Sequence, residues 1–495
     1  MKRGKQMCSD ERAIRVGRRA FMAGAFAALG GVCLSASGAD GRRPVLQVSP
    51  SDSRYLADAS GKTFVPIGCN ICFDRLNVDG RAAADTRARF ARWMRAFAAN
   101  GGNFMRVWLG HASTEIMPAR PGAFDAEAEK TLLQIVRLAE ELDIKLKFTL
   151  ESFRRTVPDA DAEDSGRVDI FTRSLYAPFA QTMDDFFRRE TCARIFLQKV
   201  DRLKALGLGD SPSVAAWELW NEISAVCPKA GDCTYRTWRE AIDPWTRRML
   251  RELKVRFPRQ LALQSLGSFS SPGAFKPYDW LAGLADNDIL QVHRYFDPGA
   301  QLDVCRGEMD VLAADAIREM RDRAPGRPVM LAETGAVKAN HAGPSERYAA
   351  DVRGTILHDA LFAPFFAGSC ASGQPWHWDH QYIDGNGLWG QFARFRKAIA
   401  GVDPAAEHFR PIRFENHRLR FWCLRGTRKT LIWVRTKNGD FSTVTRAEAE
   451  EWLNDIPARF SVYDPWNDVT TSVTDGHIPE FQRDAVVTFD TKDSY

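Results

Sequence analysis

A chain of 495 residues exceeds what one ordinary hydrophobic core accommodates, so one large domain with a smaller companion is expected. Hydrophobic residues at 45% and charged residues at 26% exclude a disordered or membrane-embedded chain and describe a soluble globular one. The formal charge of +5 gives no support to nucleic-acid binding, because it is confined to the first 39 residues. Seven of the 68 basic and two of the 63 acidic residues lie there, leaving 61 of each sign beyond.

Those 39 residues read as an export signal. Arg18-Arg19 precede an uncharged run from Ala20 to Ala39, rich in Gly and Ala, that ends in the small residues Ser37-Gly38-Ala39. A basic segment, a short apolar segment and a small-residue site are the parts of a signal peptide, and the paired arginines give it a twin-arginine character. The run is too rich in Gly and Ala for a membrane-spanning helix, and Val32 before Cys33 argues against a lipid-modified cysteine. The expectation is a periplasmic or extracellular monomer with no stable membrane insertion. Eight cysteines follow the leader; Cys227 and Cys233 in "CPKAGDC" could close a small disulfide in an oxidising compartment. The others read as buried apolar fillers, and no spacing suits zinc, so neither metal nor cofactor is expected.

Taken in order, "LQVSPSDSRYLADASGKTFVPIGCN" predicts a hairpin turning at Asp58–Lys62 and then a buried strand, Phe64–Asn70. Seven more short apolar runs follow: Phe104–Leu109, Ile144–Leu150, Val214–Trp220, Leu261–Leu266, Ile289–His293, Val329–Glu333 and Phe365–Cys370. Between them lie amphipathic stretches with apolar residues at 3–4 spacing, such as "EAEKTLLQIVRLAEELD". Eight alternating strand–helix units predict a (β/α)8 barrel over residues 40–404. A doubly wound open sheet is the alternative, but no glycine-rich phosphate loop follows any of the strands. From residue 405 the texture changes to short alternating or β-branched runs, such as "RLRFWCLRG" and "KTLIWVRTK", which predict a small β-sandwich over 405–495.

A barrel of this kind carries its active site at the C-terminal ends of its strands. Those ends supply Asn70, Arg106, Glu151, Asn221, Glu222, His293, Tyr295, Glu333, Trp376 and Trp378. Carboxyls, an arginine, amides, imidazole, phenol and indole together suit a sugar ring: two carboxyls to break a bond, donors for hydroxyls, an aromatic face beneath. Glu222 and Glu333 would face each other across the mouth from strands four and seven. A retaining glycosidase needs such a pair about 5–5.5 Å apart, one as nucleophile and one as acid then base. Arg106 would favour an ionised nucleophile. Glu218 lies deeper on the same face as Glu222 and reads as an interior support. Glu151 and Asp379 are further candidate substrate contacts, and Asp159–Asp164 reads as a solvated acidic loop.

These motifs resemble a clan A glycoside hydrolase, most similar to the family 5 type, over roughly residues 44–400. The match rests on "GKTFVPIGCN", "FMRVW", "LWNE", "VHRY", "VMLAETG" and "PWHWD". The resemblance implies Glu222 as acid/base, Glu333 as nucleophile, Asn221 on the sugar 2-hydroxyl and Arg106 orienting Glu333. It also implies a Tyr295–Glu333 hydrogen bond and an aromatic floor from Trp376 and Trp378. One departure stands out: many family 5 members place a histidine near the end of strand three, where this chain has Glu151. The function expected is cleavage of β-glycosidic bonds in a poly- or oligosaccharide by double displacement, without cofactor. The alternatives are a transglycosylase on the same scaffold and a non-catalytic carbohydrate-binding protein. Loss of one carboxylate would mark the latter, and both are present.

Overall fold

The structure, a computed structural model, describes residues 44–77, 82–152, 156–157, 173–226, 238–450 and 457–491. The expected export leader, the Cys227–Cys233 pair and the expected acidic loop Asp159–Asp164 lie outside the described residues. Among the described residues no helix is long and apolar enough to cross a membrane.

A three-stranded antiparallel sheet comes first: Leu46–Val48, Leu56–Asp58 and Thr63–Phe64. Asp58 shapes its turn by accepting from the backbone N–H groups of Ser60 and Lys62, and Gly61 supplies the left-handed residue at φ +89°. Val45, Leu46, Tyr55 and Leu56 join one apolar cluster with strand-start residues Phe104, Ala215, Leu261, Ile289 and Met330. The hairpin thereby seals the floor of the barrel.

The barrel strands follow in parallel succession. Strands one to five, Gly68–Cys69, Phe104–Trp108, Lys145–Glu151, Val214–Trp220 and Leu261–Leu263, form one sheet. Strands six and seven, Leu290–Phe296 and Val329–Ala336, pair with each other. Asp288 N–H to Ala262 O at 3.0 Å and Phe269 N–H to His293 O at 2.7 Å stitch the two sheets together. Residues 369–376 run extended as the eighth stave. Cys370 and Gln374 donate to Val329 and Leu331 of strand seven, while Ser372 donates to Pro66 O and Pro375 accepts from Asn70 N–H at strand one. The ring is closed.

The eighth strand was expected at Phe365–Cys370, and the structure corrects this. Phe365 and Phe366 end a helix, Thr355–Phe366, and Gly368 at φ +90° turns the chain into the stave. That helix is buried on all sides from Leu357 to Phe366 because the C-terminal domain covers its outer face. It lacks the polar stripe that distinguishes a surface helix from a strand. The other helices keep that stripe. Ala126–Glu141 is capped by Asp125, whose carboxylate accepts from Glu127 and Ala128 N–H, and it buries Leu132, Ile135 and Val136.

The C-terminal domain is one six-stranded antiparallel sheet with a two-stranded ribbon, Thr443–Val444 and Phe481–Gln482, as its second layer. Alternation divides its residues by face. Phe421, Ile432, Val434 and Val487 pack within the domain, whereas Trp422, Leu424, Leu431, Trp433 and Val486 belong to the barrel's own core. Trp433 meets Phe362 and Phe366 of the buried helix at ring separations of 5.5 and 5.9 Å. Around them runs an ion network: Arg420 and Arg435 on Asp310, Arg435 and Arg483 on Asp359, and Arg483 and His358 on Asp484. The domain shares one continuous core with the barrel.

Candidate active site

The two carboxylates reach the barrel mouth through two local irregularities. Strand four is buried along its length and ends at Trp220. Asn221 N–H donates to Glu151 O at 2.9 Å, and Glu222 then adopts φ +53° while its N–H donates to Ser265 Oγ at 3.1 Å. Left-handed backbone at a non-glycine residue costs about 1–2 kcal/mol, and it turns Glu222 off the strand path. On strand seven the register slips between Leu331 and Glu333, leaving Ala332 as a bulge. A bulge re-aims the residue beside it. The carbonyl of Ala332 is satisfied by Asn70 Nδ2 at 2.9 Å. Glu222 and Glu333 thus bring carboxylate oxygens within 4.8 Å of each other.

Arg106, fully buried on strand two, ties the floor of the site together. Its Nε and Nη2 donate to the two oxygens of Glu218 at 2.8 and 2.9 Å. Nη2 also donates to Asn221 Oδ1 at 2.6 Å, and Nη1 donates to Glu333 Oε1. Lys147, also buried, lies 3.9 Å from Glu218 and donates to Gln291 Oε1 at 2.5 Å. Burial opposes ionisation of Glu218, but Arg106 and Lys147 outweigh it and hold the carboxyl below its usual range. Burial pushes the Lys147 amine down to about 8. Two cations therefore face three carboxyls, and one carboxyl is left to carry a proton.

Glu222 is that carboxyl. Burial, and then the charge of Glu333, push it well above the ordinary carboxylate range. Burial raises Glu333 too, but Arg106 and the Tyr295 hydroxyl oppose the rise. Tyr295 Oη donates to Glu333 Oε2 at 2.7 Å. His293 Nδ1 lies 2.8 Å from Glu222 Oε1 and 3.5 Å from Glu333 Oε2, so it sits between the two carboxyls. Burial, followed by the charges of Arg106 and Lys147, keeps its imidazole neutral. Its Nε2 is buried without a hydrogen-bond partner among the described residues. Glu222 keeps 20% side-chain exposure against 5% for Glu333, so the carboxyl pushed further up faces the opening and the one held by Arg106 and Tyr295 lies beneath.

Four residues expected to contact substrate are placed otherwise. Asn70 is fully buried and spends its Nδ2 on the carbonyls of Ala332, Gln374 and Pro375, tying strands seven and eight to strand one. Glu151 is fully buried and held at 2.9 Å by Lys199, which also pairs with Glu115. Its backbone carbonyl serves the site by holding Asn221. Trp378 is buried completely, packed edge-on against Phe73, Trp93 and Trp376. Asp379 is buried and pairs with Arg75 at 2.8 Å. Trp376 alone of the two tryptophans keeps exposed surface.

The aromatic wall also contains residues that the sequence reading did not single out. Trp108 lies 5.1 Å from Trp376, Phe73 lies 6.0 Å from it, and His111 stacks on Phe73 at 4.6 Å. Trp108 ends strand two and His111 follows it closely, so the strand-end rule applied to every strand would have reached both. His341, edge-on to Tyr295 at 5.2 Å, comes from the loop after strand seven and carries no local signal.

Glu222, His293 and Glu333 each offer a ligand atom within 4.8 Å of the others, a set that could in principle hold a cation. The donor chemistry opposes it. Both oxygens of Glu333 already accept hydrogen bonds, one of them from a guanidinium whose fixed charge repels a divalent ion at this range.

No protein-family model matches the sequence, and no curated protein sequence matches it. Solved structures do. A structure described as a glycoside hydrolase aligns with a TM-score of 0.56 at 13% identity, over 90% of this chain and 96% of that one. The endo-beta-1,4-mannanase of Thermotoga petrophila aligns at 0.48 and 14% identity, over 86% of this chain and 91% of its own. A glycoside hydrolase family 5 mannosidase from Rhizomucor miehei aligns at 0.46 and 14% identity, over 67% and 85%. At such identities the likeness is one of fold, and only the first alignment is close enough to carry an argument. The chain has a (β/α)8 barrel with an appended β domain, and this fold aligns over 90% of its length with a solved structure described as a glycoside hydrolase.

Proposed function

We propose that this protein is an exported retaining glycoside hydrolase acting on β-linked poly- or oligosaccharides. The observation that carries the reading is the pair Glu222 and Glu333, with oxygens within 4.8 Å and unequal surroundings. An inverting enzyme needs room for a water between its carboxyls and sets them about 6.5–9.5 Å apart, whereas a retaining one sets them at about 5–5.5 Å.

In the first step Glu333 attacks the anomeric carbon and Glu222 gives its proton to the departing glycosidic oxygen. Arg106 and Tyr295 keep Glu333 ionised and aimed. Formation of the glycosyl ester removes the negative charge on Glu333, so Glu222 loses its proton more readily and can take one from an incoming water. Water then attacks the anomeric carbon, and Glu333 departs as a carboxylate. Asn221 uses its Oδ1 on Arg106, which leaves Nδ2 to donate to a sugar hydroxyl. Trp376 offers the exposed indole face for the ring. Export rests on the Arg18-Arg19 leader of the sequence.

Proton NMR of the first product formed from an aryl β-glycoside tests the mechanism. The β-anomer is expected before mutarotation, and the α-anomer would overturn retention. Assays on cellulose, xylan and β-mannan alongside test the activity, and turnover of none of these substrates would overturn it.

A further inference from the structure

Away from the carboxylates, an open cavity of about 450 Å³ lies at the seam between barrel and C-terminal domain. One wall comes from barrel loops: Arg353 from the loop after strand seven, and Asn386 with its neighbours from the loop after strand eight. Both loops leave the C-terminal face of the barrel, the face that carries Glu222 and Glu333. The second of them begins at Trp376, ten residues before Asn386. The opposite wall is Phe441, Trp466 and Gln482 of the C-terminal domain.

The charge of this cleft is one-sided. Its lining holds two arginines, Arg353 and Arg394, and no carboxylate. Both guanidiniums are supported by rings: Arg353 stands 4.3 Å over Phe441 and Arg394 5.2 Å over Trp466, and the two rings meet edge-to-face at 4.8 Å. Neither arginine forms an ion pair with a described carboxylate. Asp468, the acid that acts on Arg394 from a distance, is already bonded to Lys397 at 2.5 Å and Tyr463 at 3.0 Å. Arg420, Arg435 and Arg483, elsewhere along the seam, are all paired. A guanidinium stacked on a ring is pre-oriented and keeps its N–H fork free for a planar carboxylate.

We propose that this cleft binds an acidic saccharide, its carboxylates engaged by Arg353 and Arg394, as a second sugar site on the active-site face. The saccharide class rests on the glycosidase reading above; the anionic character rests on the cleft alone. A chain with uronate units could occupy the cleft with one segment while another lies over Trp376.

Calorimetric titration of the full chain carrying Glu333→Gln with tetragalacturonate, and separately with cellotetraose and with inorganic phosphate, tests this. Saturable tetragalacturonate binding is expected that weakens with added salt and drops tenfold or more in Arg353→Gln/Arg394→Gln. Both side chains reach solvent, so the thermal midpoint should not move in that variant, and with Glu333 restored its hydrolysis of a small aryl glycoside should equal that of the wild type. Undiminished binding in the double variant, equal binding of the neutral tetrasaccharide, or binding of phosphate alone would each overturn the proposal. Should wild-type protein cleave no glycoside while the arginine-dependent binding stands, the hydrolase reading fails and the cleft does not.

Discussion

Two buried charge clusters in this molecule can be set side by side. Beneath the C-terminal domain, Arg420, Arg435 and Arg483 meet Asp310, Asp359 and Asp484, and His358 and Trp422 complete the hydrogen bonding. At the barrel mouth, Arg106 and Lys147 meet Glu218, Glu333 and Glu222. The buried groups of the first cluster balance, and Asp310 and Asp484 are held ionised. The second has one carboxyl too many, an imidazole between two acids, and a ring nitrogen with no partner among the described residues. A buried network that satisfies itself holds structure together, and one left unbalanced is poised to exchange a proton. Burial alone does not tell them apart.

The sharpest way to break this comparison is to neutralise one carboxylate in each cluster. Glu333→Gln should lower kcat by about 10⁴-fold or more while moving the thermal midpoint less than the Asp310 change does, since Arg106 keeps Glu218 as its bidentate partner. Steady-state kinetics with a melting curve read both. Asp310→Asn should do the reverse. Removing one partner of a buried pair costs about 3–5 kcal/mol, so the midpoint in denaturant falls while kcat per folded molecule stays put. If Asp310→Asn abolished turnover in folded protein, the division between the clusters would fail.

A gentler cut is Tyr295→Phe. A hydrogen bond to a charged group contributes about 1.5–3 kcal/mol, so kcat/KM should fall about ten- to hundredfold, with Glu333 left to Arg106 alone. A loss below twofold would remove Tyr295 from the reaction.

The smallest effects should appear in pH dependence, where the clusters act in opposite senses. The Asp310 and Asp484 carboxyls are held below their ordinary range: burial opposes their ionisation, but Arg435 and Arg420, and His358 and Arg483, outweigh it. Their contribution is present above the unfolded value near 3.9 and is lost as pH falls. The folded Glu222 sits above its unfolded value, so the stability it contributes, and the general acid it supplies, are lost as pH rises through its folded value. Thermal midpoints against pH should therefore fall at both ends. Glu222→Gln should remove only the loss on the rising-pH side, which begins near the unfolded value of about 4.3, and an unchanged slope there in that variant would contradict the assignment.

Much of this was legible in the sequence, and the rest failed for physical reasons. Strands four and seven announce themselves because an apolar run stops at a carboxylate, and the barrel rule puts such stops on one face. Glu218 was read as an interior support, and it is the bidentate partner of Arg106. The eighth strand was misplaced because a helix buried all round has no polar side to reveal its period. Glu151 was assigned to substrate because it ends a strand, but its partner Lys199 lies 48 residues onward on a helix, a pairing no local pattern encodes. Trp376 and Trp378 differ by two positions and share a motif, yet one is half-buried and the other sealed: Phe73 meets both rings, and Trp93 packs on Trp378. Local chemistry found the site, and its partition into working and supporting residues required the tertiary contacts.

The left-handed backbone at Glu222 has a consequence for laboratory evolution. A glycine there would release the steric strain of φ +53° and remove an acidic group from beside Glu333. A library selected for heat resistance, with no demand for turnover, should therefore discard Glu222 among its first changes. Sequences drifting under such selection would keep the barrel, the hairpin floor and the paired arginines, and would go silent at this one position.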